Sequence, residues 1–556
     1  LVGSEMCIRD RYYEGTKTNP GMDMADPNFD KDIIYEVKNQ NAKLEYNESY
    51  ARDRNWYLEG GINYNRTFKN VHRVSGLLLY NQNRVYYPKA PNGNAMDYQY
   101  IPRSYVGLVG RASYGYNSRY LLDVNVGYNG SENFAPGKTR FGLFPSGSVG
   151  WVVSEEKFMK NQSLISFLKL RGSYGIVGND KIGIDRFLYI DGVWSVDGGG
   201  YNFGIDQTAK DPAATEGQLG NPVITWEKSA KQNYGIDLKM FNDRFSVSAD
   251  YFRENRTDIL ITRNTAPGII AIALPKQNMG EVLNQGYELS VKWADRYKDF
   301  KYWVNANVSY AKNKIIYMDE VKHINDFNNQ TGRSTGLTYG YVFDRFYTAD
   351  DFADAEKGIL KDGLPIVTIG TPFPGDCKYV DMDNNGKIDA NDQTYLGYST
   401  KRPEYVLGFD CGFNWKGWNF SMQWTGATHI SRNLEQEYRM PFSNNGKRAL
   451  LQYHADERWT PETAGIATMP RFSDNSKALN YDVNSSLWVR DASYIRLKNI
   501  QLGYTFTNRP LLKKMGLSNV NLYVSGYNVL TFDKLKFVDP ETPTNGGNSN
   551  QYPISK

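Results

Sequence analysis

The sequence predicts an all-β fold: a transmembrane antiparallel β-barrel wall of about 14 strands. Three observations predict it. Apolar residues recur at every second position along arms of about ten residues, the length of a tilted membrane-spanning strand. The arms come in pairs closed by short polar turns. The connections between pairs are long and polar, as on the outer side of an outer-membrane barrel.

The pattern is cleanest in Tyr234 to Tyr251. Tyr234, Ile236, Leu238 and Met240 alternate with Gly235, Asp237 and Lys239; after Phe241 to Arg244, Phe245, Val247, Ala249 and Tyr251 alternate with Ser246, Ser248 and Asp250. Period two gives each arm one apolar and one polar face. The apolar set is expected to meet lipid and the polar set a watery lumen.

In chain order, residues 12–55 read as polar loop. Trp56 to Tyr64 and Val71 to Tyr80 form the first hairpin, and 104–128 the second. Phe144 to Val153 and Leu168 to Gly175 are strands, with a helical turn expected between them. Residues 177–221 read as loop, 222–256 as a hairpin and 257–283 as loop. Tyr287 to Trp293 pairs with Tyr302 to Tyr310. The segment 312–403 lacks sustained alternation. Hairpin 404–426, polar stretch 427–486 and a last hairpin, 488–506 with 519–530, complete the chain. The apolar phase slips near Asn499, from Ile495 and Leu497 to Ile500 and Leu502, which predicts a β-bulge. Each hairpin closes through the shorter connection, so every long segment, 312–403 included, is expected outside.

Composition fits this reading. Tyr (42), Trp (11) and Gly (51) are abundant, suiting aromatic girdles and bent strands. Mean hydropathy of −0.59 excludes a helical membrane protein, not a barrel. A near-balanced charge of +4 gives no case for nucleic acid. Three cysteines, Cys7, Cys377 and Cys411, are too few for a disulfide framework, and Cys411 reads as a small buried hydrophobe. Residues 1–11, with Met6-Cys7-Ile8-Arg9-Asp10, read as a translated sequencing-adapter end and stand apart from the fold.

One segment carries metal-ligand spacing. From Asp381 to Asp392, oxygens stand at Asp381, Asp383 and Asn385, glycine follows at Gly386, Lys387 offers a backbone carbonyl, and acids return at Asp389 and Asp392. This is the arrangement that wraps hard oxygen ligands around Ca²⁺. Asp392 stands where a longer Glu is usual, and the alternative is a polar turn. Gly332-Arg333-Ser334-Thr335-Gly336 has nucleophile-elbow spacing but lacks the strand and helix such a turn needs, so no catalytic residue is assigned. His72, His323, His429 and His454 share no metal spacing. Trp56, Trp151, Trp415, Trp418 and Trp424 read as membrane-interface residues, with sugar stacking as the alternative.

Seven strings, in order, resemble the SusC/RagA family of TonB-dependent outer-membrane transporters: FPSGSVGWVVSEEKF (144–158), LKLRGSYGIVGND (168–180), NMGEVLNQGYELSVKW (278–293), GDCKYVDMDNNGKIDANDQTYLG (375–397), RWTPE (458–462), DASYIRLKNIQLGYTF (491–506) and VDPET (538–542). The resemblance implies a 22-stranded barrel with an N-terminal plug. Residues 12–556 are then about strands 8–21, truncated at both ends, with plug and TonB-interacting segment absent. It implies TonB-energised import of oligosaccharides or peptides in the outer membrane of a Gram-negative bacterium, with a SusD-like surface lipoprotein as lid. The TonB complex, acting through the missing N-terminal part, and outer-membrane lipid are the other partners. A passive porin or adhesin barrel and a secreted β-rich glycan-binding protein are the alternatives. The substrate is not legible in the residues.

Overall fold

A computed structural model describes residues 13–17, 33–37, 54–87, 100–181, 186–192, 194–270, 274–434, 438–441, 450–472, 479–507, 510–535 and 538–541. Residues 1–11 lie outside them. The chain divides into Leu1–Arg54 and Asn55–Lys556. The first, expected as loop, contains one antiparallel pair, Tyr13–Lys17 with Ile33–Val37.

The second unit is built on one antiparallel sheet of fourteen strands. In chain order these are β1 (Arg54–Phe68), β2 (His72–Tyr86), β3 (Arg103–Tyr116), β4 (Tyr120–Ser131), β5 (Phe141–Val152), β6 (Ile165–Asn179) and β7 (Glu227–Met240). The series continues with β8 (Phe245–Ile261), β9 (Gln277–Tyr297), β10 (Phe300–Tyr317), β11 (Tyr405–Trp415), β12 (Trp418–Thr428), β13 (Tyr494–Thr507) and β14 (Asn519–Asp533). Each strand pairs with its sequence neighbours, and the edges β1 and β14 do not pair with each other, so the sheet is open. The expected helical turn between β5 and β6 is two short 3-10 turns, Val153–Glu155 and Lys157–Met159. The β-bulge is at Lys498: Gln423 pairs with Asn499 and Trp424 with Leu497.

Register aligns the apolar faces into rows. Tyr234, Tyr251, Tyr287, Tyr310 and Tyr405 are successive cross-strand partners on β7–β11. At the opposite end, Phe300 pairs with Trp415, Trp415 with Trp418 and Trp418 with Tyr504. From Tyr405 to Trp415 a strand rises about 34 Å at ~3.4 Å per residue. A tilt of ~45° leaves about 24 Å of height, close to the ~25 Å apolar band of outer-membrane barrels. Between the two belts the apolar side chains stay open to the surroundings: Leu289 is 37% exposed, Phe409 37% and Val149 60%. In a soluble sandwich these side chains would be covered by a second sheet. Cys411, on this face, is half-buried rather than buried.

The other face is polar and tied across strands. Arg171 on β6 donates to Asp250 on β8 at 2.5 and 2.6 Å and to Asp237 on β7 at 3.1 Å. Between them, in the same row, stands Gly235. A Cβ there would lie 2.5 Å from the Arg171 guanidinium carbon. The glycine lets the arginine lie flat across β7 and reach the strand beyond. Ser248 donates to Asp237 at 2.8 Å and completes the cluster.

Four expected boundaries move. Segment 177–221, expected as loop, contains the pair Ser195–Phe203 and Ala209–Thr215. Segment 257–283, expected as loop, is strand at both ends, because β8 runs to Ile261 and β9 begins at Gln277. The polar stretch 427–486 holds a short helix, Gln452–Glu457. The last hairpin begins later than 488, because Val489–Asp491 leaves the sheet to pair with Ser431–Asn433. For β8 and β9 backbone pairing extends past the point where lipid stops demanding apolar residues, so alternation no longer marks it.

Candidate functional site

The two longest connections, 318–404 and 429–493, fold together. Tyr341, Phe346 and Ile388 from the first and Leu434, Leu479 and Trp488 from the second share one buried apolar cluster. Trp488 is fully buried, and its indole N–H donates to the Asn480 carbonyl at 2.8 Å. Asp376, also fully buried, joins the two loops. It accepts from Arg471 Nε at 2.6 Å, Asn480 Nδ2 at 2.8 Å and the Phe373 backbone N–H at 2.9 Å. A buried carboxylate is tolerable only when paired and hydrogen-bonded in this way. Burial pushes the Cys377 thiol and the Tyr379 hydroxyl up, so both stay neutral.

The segment 381–392 hangs from this core by Ile388, which is 1% exposed. Lys387–Ile388 pairs in parallel with Ile366–Val367. Asn328 Nδ2 holds the far end through the carbonyls of Asn391 (2.8 Å) and Gln393 (2.7 Å). Gly386, at φ +77°, and Asn384, at φ +56°, make the sharp bend.

Carboxylate oxygens of Asp381, Asp383 and Asp392 lie within 4.8 Å of one another. Asp392 is fully buried and accepts the backbone N–H groups of Met382 and Asp389, each at 2.8 Å. Burial raises its pKa, and the charges of Asp383 and Asp381 raise it further. Asp381 accepts from Gly386 N–H at 2.8 Å. Two expected ligands are turned to other work. Asp389 accepts from Asn391 N–H at 2.7 Å and caps the 3-10 turn Ala390–Asp392. Asn385 Oδ1 accepts from Lys387 N–H at 2.8 Å. The three acids brought together could hold a metal. A hard divalent cation suits them, because it would offset the repulsion that raises Asp392.

Ser334, in the Gly-x-Ser-x-Gly spacing, donates its hydroxyl to the Asn313 carbonyl at 2.7 Å. Gly332 and Arg333 continue the sheet above β11 by bonding to the backbone of Ile315. That serine anchors a loop. Of the interface tryptophans, Trp56, Trp151, Trp415 and Trp418 are 38–47% exposed near strand ends. Trp424 sits mid-strand on β12.

The string VDPET also has a structural part. Asp539 and Glu541 each accept from Arg496, at 2.7 Å, and only 3% of that side chain is exposed. Sequence reasoning did not single out Arg496, Asp376 or Arg171. Each pairs with residues far away in the chain, and no local spacing marks such a pair.

Sheet, aromatic belts, polar face and long loops on one side together describe an outer-membrane barrel wall. The TonB dependent receptor-like, beta-barrel family matches residues 8–529. The chain belongs to that family. TonB-dependent receptor P3 of Formosa agariphila is 28% identical over 518 residues, which cover 90% of this chain and 48% of that protein. TonB-dependent receptor SusC of Bacteroides thetaiotaomicron is 27% identical over 468 residues, covering 81% and 42%. The chain spans about half the length of the curated relatives it matches. Among solved structures, the RagAB peptide importer in its "open-open" state superposes with a TM-score of 0.64 at 20% identity, covering 89% of this chain and 52% of that one. That likeness is one of fold. TonB-dependent receptor barrels of this SusC/RagA type lie in the Gram-negative outer membrane and are not enzymes, so the secreted alternative falls.

Proposed function

We propose that this chain forms about strands 8–21 of a TonB-energised importer of oligosaccharides or peptides, working with a SusD-like surface lipoprotein. One observation carries the reading: a receptor barrel wall crowned by a folded loop unit. A passive channel needs only a lumen. A loop unit with its own core presents a fixed surface to a lid and a substrate. The likeness in fold to RagAB, a peptide importer, supports the peptide branch. The likeness to SusC supports the same receptor class.

The same reading gives the acidic segment a structural role. Ca²⁺ would be held by Asp381, Asp383 and Asp392, with Asn385, Asp389 and the Lys387 carbonyl completing the set on rearrangement. It would stiffen the loop and take no part in transport.

The test is uptake of labelled oligosaccharides and peptides by cells carrying the intact receptor. Import should cease when TonB is deleted and fall when the neighbouring lipoprotein is removed. Uptake that survives TonB deletion would mean a passive pore.

A further inference from the structure

An asparagine followed by glycine can close on itself: the glycine nitrogen attacks the asparagine side-chain carbonyl carbon, and a residue without Cβ does not shield that nitrogen. Among the described residues the Asn-Gly pair occurs twice, at Asn129-Gly130 and at Asn385-Gly386. The two stand in opposite surroundings. Asn129-Gly130 belongs to β4, where Gly130 is buried and pairs with Val106 on β3 and Phe141 on β5. A Cβ there would lie 2.5 Å from the Phe141 ring and 3.0 Å from the Val106 side chain. That packing leaves no room for the chain to close into a ring.

Asn385-Gly386 stands at the bend of the long loop. Both residues are exposed, and a Cβ on Gly386 would meet nothing within 4 Å. Water therefore reaches the peptide bond between them. Three hydrogen bonds address the atoms that would react. The Gly386 N–H, the nucleophile, donates to Asp381 Oδ2 at 2.8 Å. Asn385 Oδ1, on the carbon to be attacked, accepts from the Lys387 N–H at 2.8 Å. Asn385 Nδ2, the leaving nitrogen, donates to Asp383 Oδ2 at 3.1 Å.

These are the parts of an acyl-transfer site. A carboxylate sits beside the nucleophile as its base. A backbone N–H points at the oxygen on which negative charge would build. The chain itself holds nucleophile and carbonyl next to each other, so no encounter has to be waited for.

We propose that Asn385 is a self-modification site, deamidating with its own loop as catalyst. Asp381 takes the proton of the Gly386 N–H while that nitrogen bonds to Asn385 Cγ. The Lys387 N–H holds the charge that builds on Oδ1. The proton passes to Nδ2, the Cγ–Nδ2 bond breaks, and ammonia leaves a cyclic succinimide. Water opens the ring at either carbonyl and leaves an aspartyl or isoaspartyl residue at position 385. Nothing is oxidised or reduced, and water is the one co-reactant. The product loses the Nδ2 donor to Asp383 and adds a carboxylate beside Asp381, Asp383 and Asp392. Like charges then crowd the bend and loosen it, which makes the change a slow one-way switch on this loop. The reaction needs no bound cation and stands whether or not the import reading does.

The test uses the intact receptor in mild detergent, with chelator present throughout, incubated at neutral pH and sampled over days. Peptide mapping by mass spectrometry follows the succinimide and its hydrolysis products at each Asn-Gly pair, and enzymatic methylation counts the isoaspartyl fraction. Asn385 should convert at least about tenfold faster than Asn129, and at least about tenfold faster in the folded receptor than in the tryptic peptide 379–387 cut from it, which keeps the sequence and loses the fixed geometry. D381N keeps an acceptor for the Gly386 N–H but removes the base, and should slow conversion by about a hundredfold, the low end of what a positioned base contributes. Equal rates in receptor and peptide overturn the proposal, independently of any variant's folding. So does conversion at Asn129 that keeps pace with Asn385, or an undiminished rate in D381N.

Discussion

The rings of Tyr310 and Tyr405 lie 4.6 Å apart, centroid to centroid, across the β10–β11 pair. Tyr287 packs, tilted, on the other side of Tyr310 at 5.2 Å. A row of rings at one height places the membrane interface on the sheet, and the face below it as lipid-exposed.

That placement predicts a depth-dependent cost. Ala306 lies midway between Tyr310 and Tyr302 on β10, and it is exposed. Ala306→Arg should destabilise the assembled barrel by roughly 2–4 kcal/mol, and Gln285→Arg, above the tyrosines, by about 0–1 kcal/mol. Urea unfolding of the receptor in bilayers measures both. Equal costs at the two sites would mean that the row does not mark the interface.

On the lumen face, Gly235→Ala should displace the Arg171 guanidinium and leave Asp237 and Asp250 without their shared cation. The cluster is partly open to solvent, so a loss of about 1–2 kcal/mol is expected, smaller in high salt. Pairing the change with Arg171→Met should cost less than the sum of the two single changes. Strict additivity would show that the glycine acts elsewhere.

Asp381→Ala should loosen 376–398 without disturbing the barrel strands. Limited proteolysis reads this out, and chelator should produce the same pattern in the wild type and no change in the mutant. Acid opposes binding. The Asp392 pKa is raised by burial and by Asp383 and Asp381, so its proton is held in the folded, metal-free loop. That contribution is present at low pH and is lost as pH rises through the folded pKa. Calcium protection should therefore grow with pH across this range. Cleavage indifferent to calcium at neutral pH would leave a polar turn.

The loop unit should open in acid through His454. The imidazole is fully buried, its Nε2 is 3.3 Å from the Tyr438 carbonyl, and burial lowers its pKa to about 4. A base held neutral in the fold contributes stability that is complete above its ordinary pKa near 6.5 and is lost as pH falls toward 4. The loss should be on the order of 3 kcal/mol by pH 4. Hydrogen exchange in 452–457 between pH 7 and pH 4 should rise steeply in the wild type and less in His454→Gln. A flat profile in the wild type would exclude the histidine.

Alternation along single strands was enough to determine the β class, the seven hairpins, the lipid and lumen faces and the slip near Asn499. The side-chain period of a strand is local, and each of these follows from residues within about ten positions. The spacing of Asp381, Asp383 and Asp392 was legible for the same reason: one bend at Gly386 brings them together. Tertiary structure alone decided the rest. The tyrosine row depends on the register of five strands, which hydrogen bonds between distant segments set. Asp376 finds Arg471 and Asn480 about a hundred residues on, and Arg496 finds Asp539 and Glu541 across β14. The polar stretches 312–403 and 427–486 gave no sign of a common core. Their apolar residues, such as Ile388 and Leu479, are scattered without period, because irregular loops bury side chains by where the chain passes and not by a repeating geometry.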